Sequence, residues 1–283
     1  MRERGILLSL ILGALCLQFR LLFPASPVLP LALYLRDETN TTHRHAVPNI
    51  LIFTHAVNLL EDVDNDDVEL EALRDNVRSI IALHPDAQVR FLTDQDCEAS
   101  LRAVNLTHLI PYFRHEPQGM YKGDLCRGAA LWENGGVYLD VDLGVRKNLW
   151  GVLDPATELA TVRVYEGSRF APGFFQAFWA ATPRHAVTGE YLRLFAEYYE
   201  QDTAVDGLLG VTLLQQAYDA IEPEHAELWQ EYYYRENDPL FTGVYPPNQG
   251  KQRACRYVVS TPSGVVPFYS RIYNSRLCND GPW

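Results

Sequence analysis

"YKGDLCRGAALWENGGVYLDVDLGV", residues 121–145, decides the fold. Its first half reads as a helix over 122–134, with Leu125, Ala129 and Trp132 on a face that can bury and Asp124 and Arg127, three residues apart, sharing another. Asn134-Gly135-Gly136 ends that helix, because glycine accepts the left-handed backbone that a helix C-terminus asks for. Val137 to Val145 then reads as a strand. Side chains alternate along a strand, so Asp140 and Asp142 are expected on one face, with Leu139, Val141 and Leu143 packing on the other. Two carboxylates at close range repel unless a cation or protons compensate them. Their hard oxygens suit Mn²⁺ or Mg²⁺, which can neutralise a diphosphate as it leaves.

Outward from this stretch, strands alternate with helices. Residues 49–54 (NILIFT) form a short buried strand, and 68–83 carry Leu70, Leu73, Val77, Ile80 and Ile81 at helical spacing. Residues 88–93 (QVRFLT) give a second strand, 95–104 a short helix, and 213–221 a helix that packs on the sheet. Such alternation predicts an α/β fold, a mostly parallel sheet flanked by helices. Ligands gather beyond the carboxyl ends of strands in these sheets, which is where the two aspartates sit.

The 283 residues are 47% hydrophobic, enough for a sizeable core, and carry a net charge of -12. That charge argues against a nucleic-acid partner, whose phosphates need clustered Lys and Arg. An anionic ligand therefore needs local help, and a metal ion supplies it by reversing the sign of the field in an acidic site. The acidic run 61–71 (EDVDNDDVELE) lacks the Gly and Glu of a calcium loop and reads as a solvated lead into a helix.

At the N-terminus, Arg2 and Arg4 precede an uncharged apolar stretch, residues 5–19, closed by Arg20. Residues 1–35 are read as a signal anchor and membrane-proximal segment, with a cleaved signal peptide as the alternative, 36–46 as a stem, and 47–283 as the folded domain. This predicts attachment to a membrane through the N-terminal segment, with the domain lumenal. The triplets Asn40-Thr41-Thr42 and Asn105-Leu106-Thr107 are glycosylation sequons that fit a lumenal domain. Beyond Cys16, the four cysteines Cys97, Cys126, Cys255 and Cys278 could form two disulfides in any of three connectivities.

The order Lys122, small residue, Asp124, two residues, Arg127, apolar helix, Gly135, Gly136, Tyr138, Leu139, Asp140, Asp142 closely resembles the DXD-containing sugar transferases of glycosyltransferase family 32, which include fungal mannosyltransferases and the alpha-1,4-galactosyltransferase group. Residues 47–55, 91–96 (FLTDQD) and 207–212 (GLLGVT) resemble further segments of that family, so the likeness covers about 47 to 215. It implies a GT-A (Rossmann-like) fold, a UDP- or GDP-sugar donor, a glycan or glycolipid acceptor, retention of anomeric configuration, and a Golgi or ER membrane location as a single-pass type II protein. By the same resemblance Asp124 and Arg127 hold the donor sugar, Asp140 contacts ribose or sugar, and Asp140 and Asp142 bind Mn²⁺ or Mg²⁺. Thr54 and His55 lie near the base, and Lys122 and Tyr138 also face the donor. Residues 265–275 (VVPFYSRIYNS) resemble a family segment that approaches the metal, with Asn274 and Ser275 as its polar candidates. Two rivals use the same pattern: a haloacid-dehalogenase-type phosphatase, whose strand also ends in D-x-D, and a non-catalytic lumenal sugar-binding relative.

Overall fold

The computed structural model describes residues 45–61, 68–201, 208–233 and 257–270. The expected anchor (1–35), most of the stem, and Asn274, Ser275, Cys255 and Cys278 lie outside them. Among the described residues nine strands form one sheet: β1 Ile50–Thr54, β2 Gln88–Leu92, β3 Gly136–Leu139, β4 Gly144–Val145, β5 Leu159–Arg163, β6 Phe174–Ala181, β7 Ala226–Tyr233, β8 Tyr257–Ser260 and β9 Phe268–Ser270. Their order across it is β2-β1-β3-β6-β5-β7-β8-β9-β4. The helices are α1 Val68–Ala82, α2 Asp94–Ala103, α3 Ile110–His115, α4 Gly119–Asn134, α5 Ala186–Gln201 and α6 Leu209–Ile221.

This is the α/β class expected, but the sheet is mixed rather than mostly parallel. β2, β1 and β3 run parallel, as do β5 and β7, whereas β6 is antiparallel to both β3 and β5, and β7, β8, β9 and β4 pair antiparallel. The parallel β2-β1-β3 part coincides with the strand-helix units read from the sequence. β8 and β9, joined by the short connection 261–267, pair antiparallel, as two strands linked by so few residues must.

Alternation along the strands divides the core. Leu51 and Phe53 of β1 and Val137 and Leu139 of β3 pack with Val77 and Ile80 of α1. Ile52 and Tyr138 face the other way, toward Leu125 and Ala129 of α4 and toward Tyr191 of α5. The aromatic run on β6 serves both layers: Phe174 and Trp179 join this second group and Phe178 the first, all three buried. Each such ring contributes roughly 1.5–3 kcal/mol through removal from water. Helices α2 and α4 are joined by a disulfide between Cys97 and Cys126, which resolves one of the pairings the sequence left open.

The two glycines after α4 have separate tasks. Gly135, at φ 64°, is the helix cap, and its N–H donates to Leu131 O at 2.8 Å. Gly136, at φ 113°, starts β3 so close to β1 that a Cβ there would lie 2.6 Å from Ile50 O. Any other residue would pry these two strands apart at the base of the site.

Candidate active site

The D-x-D pair does not lie on a strand. β3 stops at Leu139, and the chain turns over 141–142, with Leu143 N–H donating to Asp140 O at 3.2 Å, before β4 begins at Gly144. The expected continuous strand over 137–145 is corrected to two short strands and a turn. The turn lets the apolar Val141 and Leu143 both bury while the two acids stay half-buried at the strand's carboxyl end. Asn76 on α1 fixes this turn from behind, its Nδ2 donating to Val141 O at 2.7 Å and to Leu143 O at 2.8 Å.

Both acids line a cleft of about 600 Å³ beyond the carboxyl ends of β1, β2 and β3. Thr54, His55, Lys122, Arg127 and Tyr138 line it as well, so seven of the eight predicted site residues meet in one place. Asp124 is the exception. It lies behind Arg127, only 7% exposed, and takes no part in the cleft wall. Helix α4 starts at Gly119 rather than at Lys122, so Asp124 and Arg127 fall in its second and third turns, inside the protein.

Arg127 is the hub. Its Nη2 lies 3.2 Å from Asp124 Oδ1 and its Nη1 3.4 Å from Asp140 Oδ1, while Nη1 also donates to Gln176 O at 2.6 Å. The guanidinium stacks over the Tyr138 ring at 4.4 Å. Tyr138 Oη donates to Asp140 Oδ1 at 2.6 Å and is 2.8 Å from Thr54 Oγ1, which has the hydrogen to donate in return. One chain of contacts thus runs from the end of β1 through β3 to the first acid of the D-x-D pair.

Burial works against the charge on Arg127, but the neighbouring acids, Asp140 foremost, outweigh it and hold the guanidinium above its ordinary range. Asp124 goes the other way. Burial pushes its carboxyl up to about 6 against the pull of Arg127 and of the Gly210 N–H, with Asp140 adding like-charge repulsion. Desolvation is the larger effect, yet a carboxyl near 6 is still mostly charged at neutral pH.

Several cleft residues were missed from sequence. Asp94, the first residue of α2, forms an ion pair with Lys122, whose ammonium also sits 4.9 Å from the Phe113 ring centre. Thr93 sets the start of α2, its N–H and Oγ1 reaching Asp96 Oδ2 at 2.9 and 2.7 Å. A carboxylate directly after β2 was findable from the rule that ligands sit beyond strand ends. Glu116 and Met120 carried no such signal, since they depend on how the connection between α3 and α4 folds over the cleft.

Among the described residues no group of three or more His, Cys, Asp or Glu forms a ready ligand set. Two carboxylates still suit a divalent ion of the Mg²⁺ or Mn²⁺ kind, which keeps waters and takes substrate phosphates rather than filling an all-protein cage. The charge of the cleft fits as well: Asp94, Glu116, Asp140 and Asp142 face Lys122 and Arg127, and both cations are already paired with acids.

Residues 71–160 match the family described as "Glycosyltransferase sugar-binding region containing DXD motif", a span that holds all of α4, β3 and the acidic turn. The chain is also similar to inositol phosphoceramide mannosyltransferase 1 of Schizosaccharomyces pombe, 26% identical over 189 residues, covering 64% of this chain and 54% of that protein. The chain thus spans about half the length of this curated relative. Among solved structures, the PaToxG glycosyltransferase superposes with a TM-score of 0.44 at 14% identity, covering 62% of this chain and 70% of that one. A glycosyltransferase involved in glycosylation of the major capsid of PBCV-1 gives 0.34 at 10%, covering 63% and 80%. The sequence matches favour the sugar-transferase reading of the D-x-D pair over the phosphatase one, and residues 71–160 are similar to the sugar-binding region of the DXD-containing glycosyltransferases.

Proposed function

We propose that this protein moves a sugar from a UDP- or GDP-sugar to a hydroxyl of a glycan or glycolipid, with retention of anomeric configuration and with dependence on Mn²⁺ or Mg²⁺. The observation that carries this reading is the Asp124–Arg127–Asp140 array beside Asp142 in a cleft at strand ends. Asp140 and Asp142 would hold the ion, which supplies neutralisation of the departing nucleoside diphosphate. Arg127, charged and fixed by three partners, presents a guanidinium to the donor without having to reorganise. Lys122 adds a second cation at the same wall, while Thr54 and His55, at the end of β1, are the groups for the base. Asp124 acts on the donor sugar through Arg127, by setting its orientation.

Donor hydrolysis by the protein over a panel of UDP- and GDP-sugars, with and without Mn²⁺, tests the reading. Release of one nucleotide that needs the ion and falls at least ~100-fold in Asp142→Asn is expected. Equal release without metal, or full activity in that variant, would sink the metal assignment. Anomeric NMR of the early product decides the stereochemistry.

We further propose that the protein is held in the Golgi or ER membrane by residues 1–35 with its domain lumenal. The Cys97–Cys126 disulfide and the exposed sequon at Asn105, at φ 63° just after α2, support an oxidising compartment with access to glycosylation. In a secretory host, an endoglycosidase-sensitive form that loses one glycan in Asn105→Gln is expected. Cytosolic, unglycosylated protein with free Cys97 would reject it.

A further inference from the structure

Asp124 is buried, yet its surroundings are built around it from three other elements. Tyr191 Oη, on α5, donates to the Asp124 carbonyl at 3.1 Å. The Gly210 N–H, in the first turn of α6, bonds the Asp124 side chain. Gln176, on β6 and only 5% exposed, ties these two together: its Nε2 donates to Tyr191 Oη at 3.0 Å and to the Gly210 carbonyl. Space here is closed on all sides. A Cβ at Gly210 would collide with Gln176 Oε1 and with Asp124 Oδ2. The same Gln176, through its backbone carbonyl, also accepts from Arg127 Nη1 at 2.6 Å.

We infer that Gln176 is a positioning residue for the proposed transfer reaction: its carboxamide fastens the first turn of α6 so that the Gly210 N–H stays on Asp124, which in turn fixes Arg127. This rests on the reading of Arg127 as the donor-binding cation. The physical need is plain. A buried carboxylate that loses a hydrogen-bond donor has no water to replace it, so it shifts or protonates and its hold on Arg127 weakens. The carboxamide is suited to the task because it crosslinks a carbonyl and a phenol without adding charge beside Asp124. Removing the side chain spares the backbone contact to Arg127, so substitution isolates the Asp124 half of the arrangement.

The test uses Gln176→Met, which keeps volume and removes the hydrogen bonds, beside Asp124→Asn and the double variant. Donor kcat/KM is expected to fall about tenfold in Gln176→Met, and the double variant to be no worse than Asp124→Asn alone, since the two then act through one carboxylate. A purely structural role would instead give losses that multiply. The second measurement needs no turnover: the carboxyl carbon NMR titration of Asp124, which Arg127, Asp140, Tyr191 and Gly210 face from their several elements. Its midpoint should move to higher pH in Gln176→Met, as the Gly210 donor loosens. An unmoved titration, or multiplicative losses, overturns the inference. If the native protein turns over no nucleotide sugar while the titration does move, the positioning role stands and the transferase reading fails.

Discussion

Asp124 is the residue whose environment departs furthest from what its type prefers. Its carboxyl, ordinarily near 3.8, is raised to about 6, so the folded state binds this proton more tightly than the unfolded chain does. The stability that follows is fully present below about pH 4 and is lost as pH rises through 6. At neutral pH the charge is held at a cost, as expected for a group kept for function rather than for the fold. Asp124→Asn should therefore unfold in urea at pH 7 within about 1 kcal/mol of the native protein, or above it, because Arg127 keeps Asp140 and the Gln176 carbonyl as partners. Between pH 7 and 4.5 the native protein should gain on the variant. Donor kcat/KM in the same variant should drop by at least about tenfold. A variant that loses several kcal/mol at pH 7 would show that the carboxylate holds the fold together instead.

At the scale of elements, what could be read in the sequence follows from periodicity. The β1–α1–β2 unit, the helix ending at Gly135-Gly136 and the strand after it were legible because apolar residues recur at helical or alternate spacing and glycine punctuates them. The meeting of Thr54, Lys122, Arg127, Tyr138 and the two acids was legible through the motif and the strand-end rule. The turn at 141–142 was not, since Val-x-Leu around two acids fits a strand equally well, and what breaks it is Asn76 arriving from 65 residues away. The burial of Asp124 was hidden for a similar reason: α5, β6 and α6 close over it, and none of them is near it in sequence. The Cys97–Cys126 link also joins elements distant in sequence, its ends 29 positions apart and Cys97 at the cleft. Closing a loop of that length removes enough disorder from the unfolded chain to stabilise the fold by about 3–4 kcal/mol. Urea unfolding of Cys126→Ser against the native protein should show a loss of that order. A loss under 1 kcal/mol would mean that packing of α2 on α4 already does the work.

Across the whole molecule, charge decides how a ligand can enter. The chain carries a net -12, and four carboxylates line a cleft whose two cations, Lys122 and Arg127, are each already paired. A nucleoside diphosphate adds further negative charge to a region that already repels it. Binding of UDP or GDP, followed by calorimetry, should therefore be at least about 100-fold weaker in EDTA than in Mn²⁺, since an ion held as proposed at Asp140 and Asp142 would change the sign of the local field. The salt response supplies an independent sign. Screening over about 10 Å at 0.1 M weakens whatever long-range interaction dominates, so metal-free nucleotide binding should strengthen as salt is raised, because the interaction screened is repulsive. A site built from basic residues behaves in the opposite way. Metal-free binding as tight as in Mn²⁺, or metal-free binding that weakens steadily with salt, would mean that Lys122 and Arg127 leave their acids for the diphosphate and that the protein, rather than an ion, carries the neutralising charge.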